Sequence, residues 1–105
     1  MSYYEEQLYH QAVQYIDAHI GDDLGVQQLA KQLCVSSSTL FRMFRRKTGL
    51  GPHRYIKRRK MEKALSLLKE GLGVGETAER LGYHSPGYFT VCFKQEMGCT
   101  PGQIK

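Results

Sequence analysis

Two stretches of the sequence decide the fold: VQQLAKQLCVSSSTLFRMFRRKTGLGP at residues 26–52 and VGETAERLGYHSPGYFTVCFKQEMGCTP at residues 74–101. In the first part of each stretch, equivalent residues lie 48 positions apart and pair Val26, Ala30 and Leu33 with Val74, Ala78 and Leu81. After one inserted residue the offset is 49, which pairs Ser36, Leu40, Phe44, Arg45, Gly49 and Pro52 with Ser85, Phe89, Phe93, Lys94, Gly98 and Pro101. This register indicates a duplicated structural unit.

Each unit has the pattern of a helix-turn-helix. A small residue, Ala30 or Ala78, lets the second helix approach the first, and a serine cap (Ser36 or Ser85) opens the second helix after a short turn. In this motif the N-terminal residues of the second helix face outward, where they can enter a major groove. A plain helical bundle is the alternative for one such unit, whereas two units favour nucleic-acid binding.

The spacing of apolar residues predicts an all-α fold of six to seven helices, with two helix-turn-helix subdomains joined by a long central helix. We expect an N-terminal helix and the first subdomain at residues 1–51, a linker helix at 52–71 and the second subdomain at 72–105. Leu8, Ala12, Ile16 and Ile20 recur every four residues and predict a first helix from about Tyr4 to Ile20.

The linker helix sets the expected size of the binding site. At about 1.5 Å per residue, its roughly 19 residues span about 28 Å, slightly less than the ~34 Å of one B-DNA turn. We therefore expect two recognition helices in successive major grooves. The site would be asymmetric, roughly 20 base pairs long, bent by some tens of degrees and bound by a monomer.

The distribution of charge is more informative than the net charge of +5. Residues 1–23 contain five acids and no Lys or Arg, residues 24–61 contain ten Lys or Arg and no acid, and residues 62–105 balance at five of each. A basic block confined to the middle third favours a polyanionic partner. The alternative is a solvated helix face, which is common for lysines.

Several classes of function lack the residues they need. No run of 18 or more apolar residues and no signal peptide is recognisable, which predicts a cytoplasmic protein without a membrane partner. The cysteines Cys34, Cys92 and Cys99 are too widely spaced for a zinc cluster and are expected to be reduced thiols. The histidines share no ligand spacing and no catalytic set stands out, so we expect neither an enzyme nor a metal or other cofactor.

The segments LAKQLCVSSSTLFRMFRRKTGLGPHRYI (29–56) and AERLGYHSPGYFTVCFKQEMGCTPGQI (78–104) resemble the AraC/XylS family of bacterial transcription regulators. The family's most specific signature runs from Gly82 through Tyr88, Phe89, Phe93, Lys94 and Gly98 to Thr100–Pro101. The resemblance implies double-stranded DNA as a partner and, usually, activation of transcription through RNA polymerase. The chain departs from the family pattern at Lys60, Val91 and Phe41.

In the recognition helix of the first unit, the resemblance assigns the base-facing positions to Ser37, Ser38, Phe41 and Arg42. Arg42 is the expected contact for guanine O6 and N7, with a phosphate contact as the alternative. Phe41 is expected against a thymine methyl group, with burial as the alternative. The phosphate-contacting residues expected in the same helix are Arg45, Arg46 and Lys47.

In the recognition helix of the second unit, the expected base-contacting residues are Gly87, Tyr88, Thr90 and Val91. The expected phosphate contacts are the hydroxyl of Ser85, with the helix N-terminal amides, and Lys94. Tyr88 has half-buried packing as an equal alternative. Because Thr90 and Val91 offer only methyl contacts or one hydroxyl bond, the second unit is expected to contribute less specificity. Phe89 and Phe93 are predicted core residues.

Two further expectations concern the partners of the domain. A helical protein-interaction module that binds an acidic protein is the competing interpretation, and RNA binding is disfavoured because no stacking aromatics on a sheet are evident. By resemblance, most relatives attach this domain to a separate N-terminal effector and dimerisation domain. The chain is therefore expected either to act alone, controlled by its abundance, or to be a fragment of a longer regulator, and we favour the fragment.

Overall fold

The computed structural model describes residues 3–22 and 24–104. The helices found there are α1 (Tyr3–Ala18), α2 (Val26–Gln32), α3 (Ser37–Thr48), α4 (Pro52–Lys69), α5 (Val74–Arg80), α6 (Pro86–Met97) and a short 3₁₀ helix at Pro101–Gln103. No strand occurs among these residues, and the predicted all-α class is confirmed. The first helix ends two residues earlier than expected, since the chain already turns at His19 and Ile20.

The chain divides into two compact units, Met1–Lys57 and Arg58–Lys105, and the division falls inside α4. The first part of α4 places Ile56 in the core of the first unit, and the later part places Met61, Ala64 and Leu68 in the core of the second. Each unit therefore uses a portion of α4 to close its own core. The role of residues 52–71 as a spacer stays a prediction.

The core of the first unit follows the predicted apolar stripes. Leu8, Ala12 and Ile16 of α1 are buried, with at most 3% of their surface exposed. Leu40 and Phe44 of α3 are completely buried, and the Phe44 ring lies 5.0 Å from the ring of Tyr55. Burying one such side chain contributes about 1.5–3 kcal/mol, so these stripes hold α1 and α3 together.

The core of the second unit is built around two phenylalanines of α6. Phe89 and Phe93 are both fully buried, with ring centres 5.9 Å apart, which confirms their predicted core position. Tyr83 packs on Phe89 at 5.5 Å, and its burial raises the pKa of the Tyr83 hydroxyl to about 12. α6 is thereby fixed along the face opposite its exposed residues.

The backbone hydrogen bonds confirm the repeat inferred from the sequence. In the first turn the amide of Val35 donates to the carbonyl of Ala30 at 3.0 Å, and in the second the amide of Tyr83 donates to Ala78 at 2.9 Å. These donor–acceptor pairs are 48 residues apart, as the sequence register requires. The two turns thus share one hydrogen-bonding pattern.

Both recognition helices are capped in the same way. The Ser36 side chain accepts a hydrogen bond from the amide of Thr39 at 3.1 Å, and the Ser85 side chain accepts one from Tyr88 at 3.2 Å. At their C-termini, Gly49 and Gly98 have φ values of 78° and 80°, a left-handed conformation that glycine adopts most easily.

The two turns carry different residues at the position where the backbone is left-handed. Cys34 has φ +58°, and it is the one non-glycine residue with positive φ among residues 3–22 and 24–104. Its counterpart in the second unit, 48 residues on, is Gly82 with φ +82°. Since a side chain in this conformation is strained, the first turn stores backbone strain that the second avoids.

Cys34→Gly should therefore stabilise the protein by about 0.5–1 kcal/mol, because it removes the left-handed strain and sacrifices only an exposed side chain. Urea unfolding followed by circular dichroism measures the change. The reverse substitution at the equivalent site, Gly82→Ala, is the control and should destabilise by about 1 kcal/mol. Equal destabilisation by both variants would contradict the role assigned to backbone strain.

Two ion pairs join the start of α1 to the end of α3. A guanidinium nitrogen of Arg46 donates to Glu5 at 2.5 Å, and the Lys47 ammonium donates to Glu6. The same ammonium lies 5.3 Å from the centre of the Tyr9 ring. The hydrogen bond from Lys47 holds the pKa of the Glu6 carboxyl below its ordinary value of 4.5.

Because folding lowers this pKa, the stabilisation by Glu6 is present above the unfolded-state pKa and is lost as the pH falls through the folded-state pKa. The free energy of unfolding should thus fall more on going from about pH 6 to about pH 3 in the native sequence than in Glu6→Gln. Urea unfolding at the two pH values measures this. In a Lys47→Met background the effect of Glu6→Gln should become nearly independent of pH, and an unchanged pH dependence there would contradict the pairing.

Candidate nucleic-acid interface

The first turns of α3 present a polar surface. Ser37, Ser38, Phe41 and Arg42 are all exposed, while Leu40 between them is buried. The structure thus brings the four predicted base-contacting residues of the first unit together on one outward face. Phe41 retains 53% of its surface exposed, so the alternative of burial in the core is wrong. Contact of these residues with bases stays a prediction.

Arg42 carries an uncompensated charge. Within the described part of the chain its guanidinium makes no hydrogen bond or ion pair, although Glu5 lines the same shallow depression between α1 and α3. An arginine is charged at any physiological pH and offers five N–H donors in a planar arrangement. An exposed guanidinium without internal partners is suited to bind an external acceptor, either a base edge or a phosphate.

The three cations at the end of α3 are not equivalent. Arg45 is exposed, and within the part of the chain that the structure describes it donates only to the carbonyl of Gly49, at 3.3 Å. Arg46 and Lys47 are engaged by Glu5 and Glu6, residues 41 positions earlier in the chain. The carboxylates of Glu5 and Glu6 thus neutralise two of these cations. The charge distribution along the sequence did not predict these ion pairs, because they depend on how α1 packs against α3. The two glutamates in the first turn of the N-terminal helix were the available signal.

The exposed face of α6 is less polar. Gly87, Tyr88 and Val91 lie at the surface, with 61% of Tyr88 and 52% of Val91 exposed. Thr90 is half-buried, and its hydroxyl donates to the carbonyl of Pro86 at 2.8 Å. Since that proton is already used, Thr90 can offer an external partner only its methyl group or an oxygen lone pair.

Tyr88 sits beside buried residues without being buried itself. Its ring centre lies 5.9 Å from the Tyr83 ring, and interaction with the Cys92 side chain raises the pKa of the Tyr88 hydroxyl. Ser85 uses an oxygen lone pair as helix cap, which leaves the hydroxyl proton for donation. Lys94 is exposed and forms no ion pair within residues 3–22 and 24–104. A phosphate contact by Ser85 or Lys94 is compatible with these positions and stays a prediction.

Position by position, the two recognition helices differ in chemistry. At the 49-residue offset, Arg42 of α3 corresponds to Val91 of α6, and Arg45 corresponds to Lys94. The capping serine and the buried aromatic are retained in both helices. The scaffold is therefore repeated, whereas the hydrogen-bonding capacity of the outward face is concentrated on α3.

Sequence reasoning assigned no structural role to two supporting residues, although it had noted Lys60 as a departure from the family pattern. Lys60 donates to the carbonyl of Leu81 at 3.4 Å and lies 5.6 Å from the Tyr83 ring, so it links α4 to the turn of the second unit. Gly51 lies beneath the ring of Phe41. Its only sequence signal was a glycine directly before Pro52, a pattern that many loops share.

Other site chemistries find no support in residues 3–22 and 24–104. No group of three or more His, Cys, Asp or Glu is placed to hold a metal ion there. Cys34, Cys92 and Cys99 are unpaired thiols. No described helix combines the length and apolar character that crossing a membrane requires.

Comparison with known proteins agrees with this geometry. A family model described as a helix-turn-helix domain matches residues 29–105. The HTH-type transcriptional activator RhaS of Escherichia coli O1:K1 is 32% identical over 92 residues, which cover 87% of this chain and 33% of RhaS. The chain thus spans about a third of the length of the curated relatives it matches.

Solved structures show the same fold. The C-terminal domain of AraT, a response regulator from Geobacillus stearothermophilus, has a TM-score of 0.86 and 36% identity, covering 92% of this chain and 82% of that one. The DNA-binding domain of AdpA, a global transcriptional factor solved in complex with a target DNA, has a TM-score of 0.81 and 28% identity over 89% of this chain and 85% of that one. The family is one of DNA-binding regulators and not of enzymes. The duplicated turn, the matching family model and these relatives together show that the chain belongs to the AraC/XylS family of helix-turn-helix DNA-binding domains.

Proposed function

We propose that this chain binds double-stranded DNA sequence-specifically through the outward faces of α3 and α6 and thereby regulates transcription. The observation that carries this proposal is the exposed start of α3. There Arg42, which has no ion pair among the described residues, stands beside two serine side chains on a helix anchored by buried Leu40 and Phe44. A rigidly held helix with outward donors is the arrangement by which helix-turn-helix proteins contact base edges.

The proposed binding mode places α3 and α6 in successive major grooves. α4 is a continuous helix of 18 residues, about 27 Å long at the usual rise per residue. This length is close to the ~34 Å repeat of B-DNA, and it supports the expectation of a contiguous asymmetric site of roughly 20 base pairs. A spacer slightly shorter than one turn favours DNA that bends toward the protein.

The side chains exposed on the two recognition helices divide into proposed base contacts and proposed phosphate contacts. We assign base contacts to Ser37, Ser38, Phe41 and Arg42 in α3 and weaker ones to Gly87, Tyr88, Thr90 and Val91 in α6. Phosphate contacts are assigned to Arg45, Ser85 and Lys94. Arg46 and Lys47 remain candidates for phosphate contacts, but DNA would have to compete there with the carboxylates of Glu5 and Glu6.

The relatives support a role in transcription. AdpA was solved with a target DNA, and RhaS is named a transcriptional activator. By analogy we propose that this domain acts in the bacterial cytoplasm, contacts RNA polymerase and activates transcription. Since the chain matches only a third of RhaS, an effector and dimerisation domain elsewhere in the intact protein is part of the same proposal.

Selection of bound duplexes from a random pool at about 150 mM salt tests the proposal against a module that binds an acidic protein. We expect two enriched blocks one helical turn apart, the α3 block carrying more information, and an affinity that falls steeply with salt. Recovery of unrelated sequences with uniform affinity would contradict sequence-specific binding, and the absence of DNA binding would favour the protein-interaction alternative.

Arg42→Ala and Arg45→Ala should have different effects on the selected duplex. Arg42→Ala should cost about 1–3 kcal/mol on the selected site and much less on a scrambled duplex, because a base contact is lost. Arg45→Ala should weaken both duplexes alike and reduce the salt slope by about one, because a phosphate contact is lost. Fluorescence anisotropy across a salt series measures both quantities.

Arg42→Lys is the matched control for this comparison. Lysine keeps the charge and loses the planar pair of donors, so affinity for the scrambled duplex should be retained while preference for the selected site falls. Equal losses on both duplexes for Arg42→Ala, with full recovery in Arg42→Lys, would show that Arg42 contacts phosphate instead.

A further inference from the structure

The geometry points to an apolar subsite for the 5-methyl group of a thymine, formed by the exposed ring of Phe41 and positioned by Gly51. This inference rests on the proposed DNA binding and specifies one chemical contact within it. Phe41 projects from α3 beside the loop that leads into α4, and Gly51 is the residue of that loop against which its ring lies.

The ring owes its place to the missing side chain of Gly51. A Cβ atom built on Gly51 would lie 3.1 Å from Cε2 and 3.5 Å from Cδ2 of Phe41. The first distance is shorter than an ordinary carbon–carbon contact, so a side chain at position 51 would require the Phe41 ring to shift by a few tenths of an ångström. Gly51 is therefore a positioning residue, which acts on a ligand only through Phe41.

Folding of the first unit leaves the Phe41 ring partly exposed. The apolar side chains that α3 contributes to the core are Leu40, Met43 and Phe44, each exposed by 2% or less, whereas Phe41 is 53% exposed. Exposed aromatic surface is unfavourable in water and is stabilised when a ligand covers it. The ring is thus apolar surface held in a defined place and available for contact.

The surroundings of the ring fit a thymine. Phe41 lines a shallow depression together with the apolar Val26 and Pro52 and the hydroxyl-bearing Ser37 and Ser38. In the major groove thymine presents a methyl group next to the O4 acceptor, so an apolar wall beside hydroxyl donors matches both features. The exposed cation that follows in the sequence, Arg42, favours an anionic polymer over an apolar peptide as the occupant.

Replacement of single thymines by deoxyuridine tests the subsite, since it removes only the methyl group. On the duplex selected above, the native protein should lose about fourfold in affinity at one thymine of the α3 block, the factor for one buried methyl group. In Phe41→Ala the thymine and uracil duplexes should bind alike. In Gly51→Ala the shifted ring should reduce the ratio below its native value.

Two controls separate positioning from loss of folding. Gly102→Ala, where an added Cβ meets nothing within 4 Å, should leave the thymine-to-uracil ratio unchanged. Phe41→Leu keeps an apolar side chain and should retain part of the ratio. Because the ratio compares two duplexes with one protein sample, it does not depend on the folded fraction, which thermal melts report separately.

The outcomes also distinguish this inference from the proposed function. Failure to select any specific duplex would overturn both. Specific binding with no thymine in the α3 block, with no sensitivity to uracil, or with the same sensitivity in Phe41→Ala would overturn the subsite alone. An unchanged ratio in Gly51→Ala together with its loss in Phe41→Ala would overturn the positioning role of Gly51.

Discussion

The structure of each unit depends on the tight turn that holds a short helix against a recognition helix. A small residue, Ala30 or Ala78, is buried at the crossing, and its carbonyl accepts the hydrogen bond that closes the turn. If this turn opened, the apolar stripe of the next helix would no longer pack in the core of its unit. The outward residues of that helix would then no longer be held in one direction. The same constraint explains why strain at Cys34 is tolerated: burial of Leu40 and Phe44 depends on the turn's conformation.

The sequence was sufficient to predict features set by local chemistry. Ser36, Gly49, Ser85 and Gly98 specify helix ends through short-range hydrogen bonds, so their register alone located the recognition helices. The stripe residues Leu40 and Phe89 followed from the helical period. Contacts between distant residues could not be predicted in this way, because the Arg46–Glu5 pair and the Phe41–Gly51 contact depend on packing that no local pattern encodes.

Repetition of the scaffold has left the two outward faces free to differ. Buried positions of the repeat keep their character because a close-packed core tolerates little change in shape. Exposed positions face no such restriction, and there Arg42 stands opposite Val91 in the alignment of the two units. The first unit thus exposes more side-chain hydrogen-bond donors than the second, which has mainly apolar and capping groups, and this difference supports the proposal of an asymmetric DNA site.

In the proposed DNA complex, the carboxylates of α1 would alter the balance between affinity and selectivity. Each cation that contacts phosphate strengthens binding to every sequence alike, so uncompensated charge raises the affinity for competing sites together with that for the target. Neutralisation of Arg46 and Lys47 by Glu5 and Glu6 would lower this general attraction, while Arg42 on the same helix has no internal partner among the described residues. The end of α3 is therefore less cationic in the fold than in the sequence, and Arg42 keeps its charge next in the chain to Phe41, which is proposed to contact a base.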